Sequence, residues 1–172
     1  MNPIGLLLLR LVAGGFVLKY GLPKLCDRDG SFAKEFESLG FHPAEVFVKR
    51  AGTVETLSST LIILGALGPA GPMLLLADMI VAATAVTARE KHFDLEQHEN
   101  EMLYASIATS LALSGPGEFS LDRALGIKFF DSTWLRYLSL GAAFAGAALM
   151  LAARTPSQAH TTQADEAQAA AS

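Results

Sequence analysis

Apolar residues along this chain fall into five blocks, set apart by short polar or Gly/Pro-rich breaks. The blocks cover residues 4–22, 51–67, 70–88, about 100–114 and 134–153. None shows the strict apolar/polar alternation of a half-buried strand, so β-structure has no support and each block predicts a helix. A helix crossing the hydrocarbon core of a bilayer needs about 20 residues. The first, third and fifth blocks meet that length. The fourth is short, and either extends upstream through "DLEQHE" (94–99) into the interface or thins the bilayer locally.

The breaks carry their own predictions. "GALGPAGP" (65–72) combines two prolines with three glycines and predicts a tight turn closing a helical hairpin. Residues 26–50 read as a polar loop with amphipathic pieces, a lid on the membrane surface. After the fourth block, "SGPGEFSLDRALGIKFF" begins with a Gly-Pro-Gly turn and continues as a short amphipathic segment. Ser120 is positioned to cap that segment, with Asp122 favourable in its first turn. Residues 155–172 are polar and of low complexity, and predict a disordered tail.

Composition sharpens this picture. Only 17% of residues are charged and the mean hydropathy is +0.36, which points to a bilayer rather than a water-exposed surface. The formal net charge is -4 and the cations are scattered, so nucleic-acid binding has no electrostatic footprint. A single cysteine, Cys26, excludes an internal disulfide framework. Met1-Asn2-Pro3-Ile4 carries no positive charge, whereas Arg10 stands inside the apolar block, so residues 4–22 read as a retained membrane helix rather than a cleaved signal.

Charges inside apolar blocks are the candidate chemistry. On a helical wheel Arg10, Gly14, Val17, Gly21 and Lys24 fall within about 40° of one another, whereas Lys19 points away and can snorkel. Glu55, Asp78 and Glu101 each lie on a stripe of small residues of the second, third and fourth blocks, as close packing in lipid requires. With antiparallel neighbours, depth pairs Arg10 with Asp78 as a structural ion pair, and Lys24 with Glu55 and Glu101 as a polar membrane site. An unpaired charge at the bilayer centre costs about 2.5–3.5 kcal/mol, so such groups are expected to meet. Two carboxylates sharing one lysine leave excess negative charge, which a proton on one of them relieves.

Other constellations carry less. Asp94, His98 and Glu101 have the spacing of one helical face, but read as a solvated helix end, and no metal site is expected. Cys26 stands beside Lys24 and Arg28, a setting for a redox thiol, although a lone cysteine is usually inert. Phe16, Tyr20, Phe41 and Phe47 suit ordinary packing and interfacial belts better than a quinone-stacking group. No nucleotide-binding loop, haem-attachment motif or Ser-His-Asp pattern is present, so the chain is not expected to be an enzyme on its own.

Arg10, "YGLPKL" (20–25, with Gly21), Glu55 before "LIILGALG", "NE" at Asn100–Glu101, and "SGPGEFSLDR" (114–123) occur in an order that resembles the DoxX-like family of bacterial membrane proteins. The motif residues in the last stretch are Gly115, Pro116, Gly117, Ser120, Leu121 and Asp122. The resemblance implies an all-α, polytopic transmembrane bundle: a four-helix core over residues 1–127, to which residues 128–154 add a fifth helix. It also implies a multi-pass protein of the bacterial inner membrane, acting as membrane subunit or anchor of a quinone- or thiol-linked redox complex. Its implied partners are the bilayer, a soluble redox enzyme and further copies of itself in a homo-oligomer, with quinone as the implied cofactor. A small-molecule or proton-coupled carrier is the alternative. Basic residues follow the first and third helices (Arg28, Lys34, Lys49, Arg50, Arg89, Lys91), which predicts an external N-terminus and, with five spans, a cytoplasmic C-terminus.

Overall fold

A computed structural model describes residues 2–92, 94–127, 129 and 132–153; the predicted tail at 155–172 lies outside them. The described chain is all-helical: α1 (Pro3–Leu25), α2 (Ser31–Ser38), α3 (Ala44–Leu64), α4 (Ala70–Glu90), α5 (Glu99–Ser114), α6 (Leu121–Ala124) and α7 (Thr133–Ala152). Among the described residues, α1, α4 and α7 are long and apolar enough to cross a membrane. α3 has comparable length but includes Glu45, Lys49, Arg50 and Glu55. At 16 residues α5 reaches only about 24 Å. It does not extend upstream as one sequence reading had it, because residues 95–98 form turns and the helix begins at Glu99.

Local sequence explains the boundaries. Asn2 caps α1 through its side-chain oxygen, and Pro3 takes the first helical position, where no amide hydrogen is needed. α3 begins earlier than its apolar block, at Ala44, and stops at Gly65, whose left-handed backbone (φ 62°) ends the helix. Gly68 is left-handed as well (φ 57°), so the expected turn forms within the span Gly65–Pro69 and α4 follows directly.

α1 and α3 pack antiparallel at close range, and their glycines are the reason. A Cβ on Gly21 would lie 2.8 Å from Glu55 Cβ, and one on Gly52 would lie 2.9 Å from Lys24 Cβ. Helices that associate in lipid gain by dispersion rather than by expelling water, so close backbone approach is the stabilising device. α4 packs on α3, with Gly71 against Leu61 and Ser58. α5 packs on α4, and α7 lies against α4 and α5. Leu6, Val17, Ile62, Leu75 and Leu111 form the main buried cluster. Large apolar side chains also face outward, including Leu8 and Phe16 on α1 and Trp134, Phe144 and Leu149 on α7. In water that surface would be a liability; in lipid it is solvated.

The chain therefore has two ends. One collects the start of α1, the α3–α4 turn and residues 115–127. The other collects Lys24, α2 and the start of α5.

Candidate functional site

Arg10 is 3% exposed and sits at the first end. Its Nε donates to Ile62 O (2.8 Å), Nη2 to Ile63 O (2.9 Å), and Nη1 to Pro116 O and Phe119 O (both 2.8 Å). Ile62 and Ile63 belong to the last turn of α3, whose carbonyls lack helical partners and form the negative end of its dipole. Asp122 completes the arrangement. Its carboxylate accepts from Leu67 N (2.9 Å) and Gly68 N (2.6 Å), and it interacts electrostatically with Arg10. Around Pro116, Gly115 packs against Arg136 and Gly117 against Leu6, and Ser120 caps α6 through Arg123 N (3.2 Å). Leu121 opens that helical turn and is exposed.

The expected Arg10–Asp78 ion pair is not formed. Register explains why. Gly71 packs against Leu61 and Ile62, so Arg10, which bonds Ile62, lies near the start of α4. Asp78 is about two turns deeper, roughly 10 Å along the axis. It is instead the electrostatic neighbour of Glu55 and Lys24.

That second group lines a cavity of about 550 Å³ between α1, α3, α4, α5 and α7, under α2. Lys24 Nζ lies 2.5 Å from Glu55 Oε1. Glu55 is 5% exposed, and its Oε2 is buried with no well-aligned hydrogen bond. The Asp78 carboxyl is close enough to Glu55 for a side-chain interaction, and its half-buried surface faces the cavity. Glu101 also lines the cavity, and its Oε2 is buried without a protein partner. Asn100, Tyr20 and Tyr104 complete the polar wall, whereas Leu74, Val81 and Ala147 make the apolar one.

α2 covers this end. Asp27 accepts from Ala33 N (2.9 Å), and Asp29 accepts from the Ser31 amide (3.3 Å) and hydroxyl (3.0 Å), which together hold the Asp29 carboxyl below its usual range. The Phe36, Phe41 and Phe47 rings, 5.7 and 5.1 Å apart in sequence, fasten the segment onto α3. Phe41 and Phe47 are thus core, whereas Phe16 is exposed on α1. Cys26 is exposed at the end of α1. His98 is not solvated: it is 1% exposed and its Nε2 meets Thr87 Oγ1 at 3.0 Å. Asp94 lies outside α5 altogether.

Sequence reasoning missed two roles, Asp122 as the clasp of the α3–α4 turn and Asp78 as cavity wall. A signal for Asp78 was available. Counting back from the turn places Glu55 and Asp78 at similar distances on either side of it, hence at one depth.

Comparison with known proteins agrees with this picture. The DoxX family model matches residues 5–88. The chain is 29% identical over 135 residues to "Uncharacterized membrane protein Rv3486" of Mycobacterium tuberculosis (strain ATCC 25618 / H37Rv), covering 72% of this chain and 83% of that protein. No solved structure matches significantly. The protein is a membrane protein, and its residues 5–88 are similar to the DoxX family.

Proposed function

We propose that this is a membrane-embedded binding protein for a small amphipathic molecule, whose cavity carboxyls exchange a proton as the ligand enters or leaves. The observation that carries this reading is the 550 Å³ cavity, within the range of small-molecule sites, which places three carboxyl groups (Glu55, Asp78, Glu101) beside one ammonium, Lys24. Ionisable groups facing a cavity inside a membrane bundle are costly to keep, and a proton-coupled carrier is a use for them. The opposite end of the bundle, by contrast, has its arginine and aspartate committed to backbone groups.

The test is extraction of small molecules from protein purified out of its own membranes. Gly146→Leu is the control: Gly146 lines the cavity, and a Cβ there meets nothing within 4 Å, so a larger side chain is accommodated and narrows the site. A molecule present near equimolar amount in the parent and missing from Gly146→Leu supports the reading; the same extract from both opposes it.

A second reading makes the protein the membrane subunit of a quinone- or thiol-linked redox complex. Its specific support is that the cavity's volume of about 550 Å³ is large enough for an aromatic ring and that Asn100, Tyr20 and Tyr104, which carry hydrogen-bonding groups, line it. A bound quinone would supply two-electron, two-proton chemistry, and the chain's own share would be to orient the ring and hold protons at Asp78 and Glu101. Recovery of a soluble redox enzyme with the tagged protein would favour this reading over the first.

A further inference from the structure

We infer that the cavity takes a lipophilic amine in its ammonium form, with the charged head against Glu55, Asp78 and Glu101 and the apolar body along α4 and α7. This rests on the cavity's being a ligand site, and adds the chemical class of the ligand.

The charges around the cavity are unbalanced, as the groups that each element presents to it show. α1 presents Tyr20 and Lys24, α2 presents Glu35, and α3 presents Arg50 and Glu55. α4 presents Asp78, and α5 presents Asn100, Glu101 and Tyr104. The lining residues of α7 are Gly146, Ala147 and Met150, which carry no charge. Four carboxyl groups thus face two cations, and both cations are engaged: Lys24 with Glu55 Oε1, Arg50 over the Phe47 ring at 5.4 Å. The wall is short of positive charge.

Hydrogen bonding points the same way. Glu101 Oε2 is a buried acceptor with no protein donor, and Glu55 Oε2 is one whenever the neighbouring Asp78 is ionised. An unmet buried acceptor is destabilising, more so when charged. A ligand offering N–H donors on a positive centre meets both needs with charge-assisted bonds. Tyr20 and Tyr104 also line the cavity, and aromatic rings attract cations. An anionic ligand would meet the carboxyls unfavourably, and a neutral one would leave the charge excess in place.

Proton exchange follows from the same geometry. In the absence of ligand, a proton on the Glu55–Asp78 pair relieves the repulsion; an arriving ammonium does the same work and releases it. Binding therefore weakens as pH falls, since the ligand then competes with protons.

The experiment uses the full purified chain in detergent and three probes of one shape: 1-naphthylmethylammonium, 1-naphthylmethanol and 1-naphthoate. The ammonium is expected to bind saturably and about tenfold or more tighter than the alcohol, with the carboxylate weakest. Glu101→Gln should remove most of the ammonium's advantage and leave the alcohol nearly unchanged, and Gly146→Leu should abolish binding of both. Should Glu101→Gln fail to fold, the ammonium-to-alcohol ratio in the parent decides by itself. Equal or tighter binding of the alcohol or carboxylate overturns the inference but keeps the cavity as a ligand site. No saturable binding of any probe counts against both.

Discussion

Arg10 and Asp122 hold the α3–α4 turn from opposite chemical sides. Arg10 donates to carbonyls that precede the turn, at Ile62 and Ile63, and Asp122 accepts from amides inside it, at Leu67 and Gly68. The same guanidinium reaches Pro116 and Phe119, so one buried side chain joins three segments distant in sequence. Its role is architectural, and it explains why "SGPGEFSLDR" lies where it does.

This arrangement predicts which partners couple. Arg10→Gln should cost about 3–5 kcal/mol, since it leaves buried groups unmatched. A double-mutant cycle between Arg10→Gln and Asp122→Asn should show a coupling of about 1–3 kcal/mol, whereas one between Arg10→Gln and Asp78→Asn should be additive within about 0.5 kcal/mol. Unfolding of the purified proteins in detergent measures both. Strong Arg10–Asp78 coupling would restore the pairing that depth alone suggested.

The α1–α3 contact predicts a glycine contrast. Gly52→Ala would force a methyl to 2.9 Å from Lys24 Cβ and 3.0 Å from Gly21 O. Separating the helices should cost about 1–3 kcal/mol and loosen Lys24 from Glu55. Gly15→Ala, which meets nothing within 4 Å, should be neutral or slightly stabilising. Thermal melting of the two variants, side by side, checks this; equal melting temperatures would mean that the close approach is not limiting.

How much of this could be read from the sequence depends on what sets each feature. The helices were legible because their apolar blocks are long and their punctuation is strong, as at Gly65–Pro69 and Gly115–Gly117. Ser120 was legible as a cap because its partner is local. Arg10 was misread because its partners are backbone carbonyls, which no side-chain pattern reveals. Asp78 was assigned to the wrong cation because the sequence gives depth only to within a turn or two, and the glycine contacts that fix the register are tertiary. The aromatic cluster at Phe36, Phe41 and Phe47 depends on how residues 26–43 fold back, which is equally nonlocal.

Orientation in the membrane is predicted by the distribution of cations. Arg28, Lys34, Arg89 and Lys91 lie at the α2 end, and Arg123 and Arg136 at the other. The excess of basic residues should keep the α2 end in the cytoplasm. A reporter fused after Ser172 should then be active in the cytoplasm, and activity confined to the outer side of the membrane would reverse the assignment.

The central claim is that the carboxyls of the cavity trade a proton for a ligand, and proton release on binding tests it most directly. The measurement is the pH change when 1-naphthylmethylammonium is added to concentrated protein in weakly buffered solution near neutral pH. About one proton should be released per ligand bound by the parent, and clearly less by Asp78→Asn, whose amide cannot give one up. Saturable binding with no proton released by the parent, or with the same release by Asp78→Asn, would contradict the account.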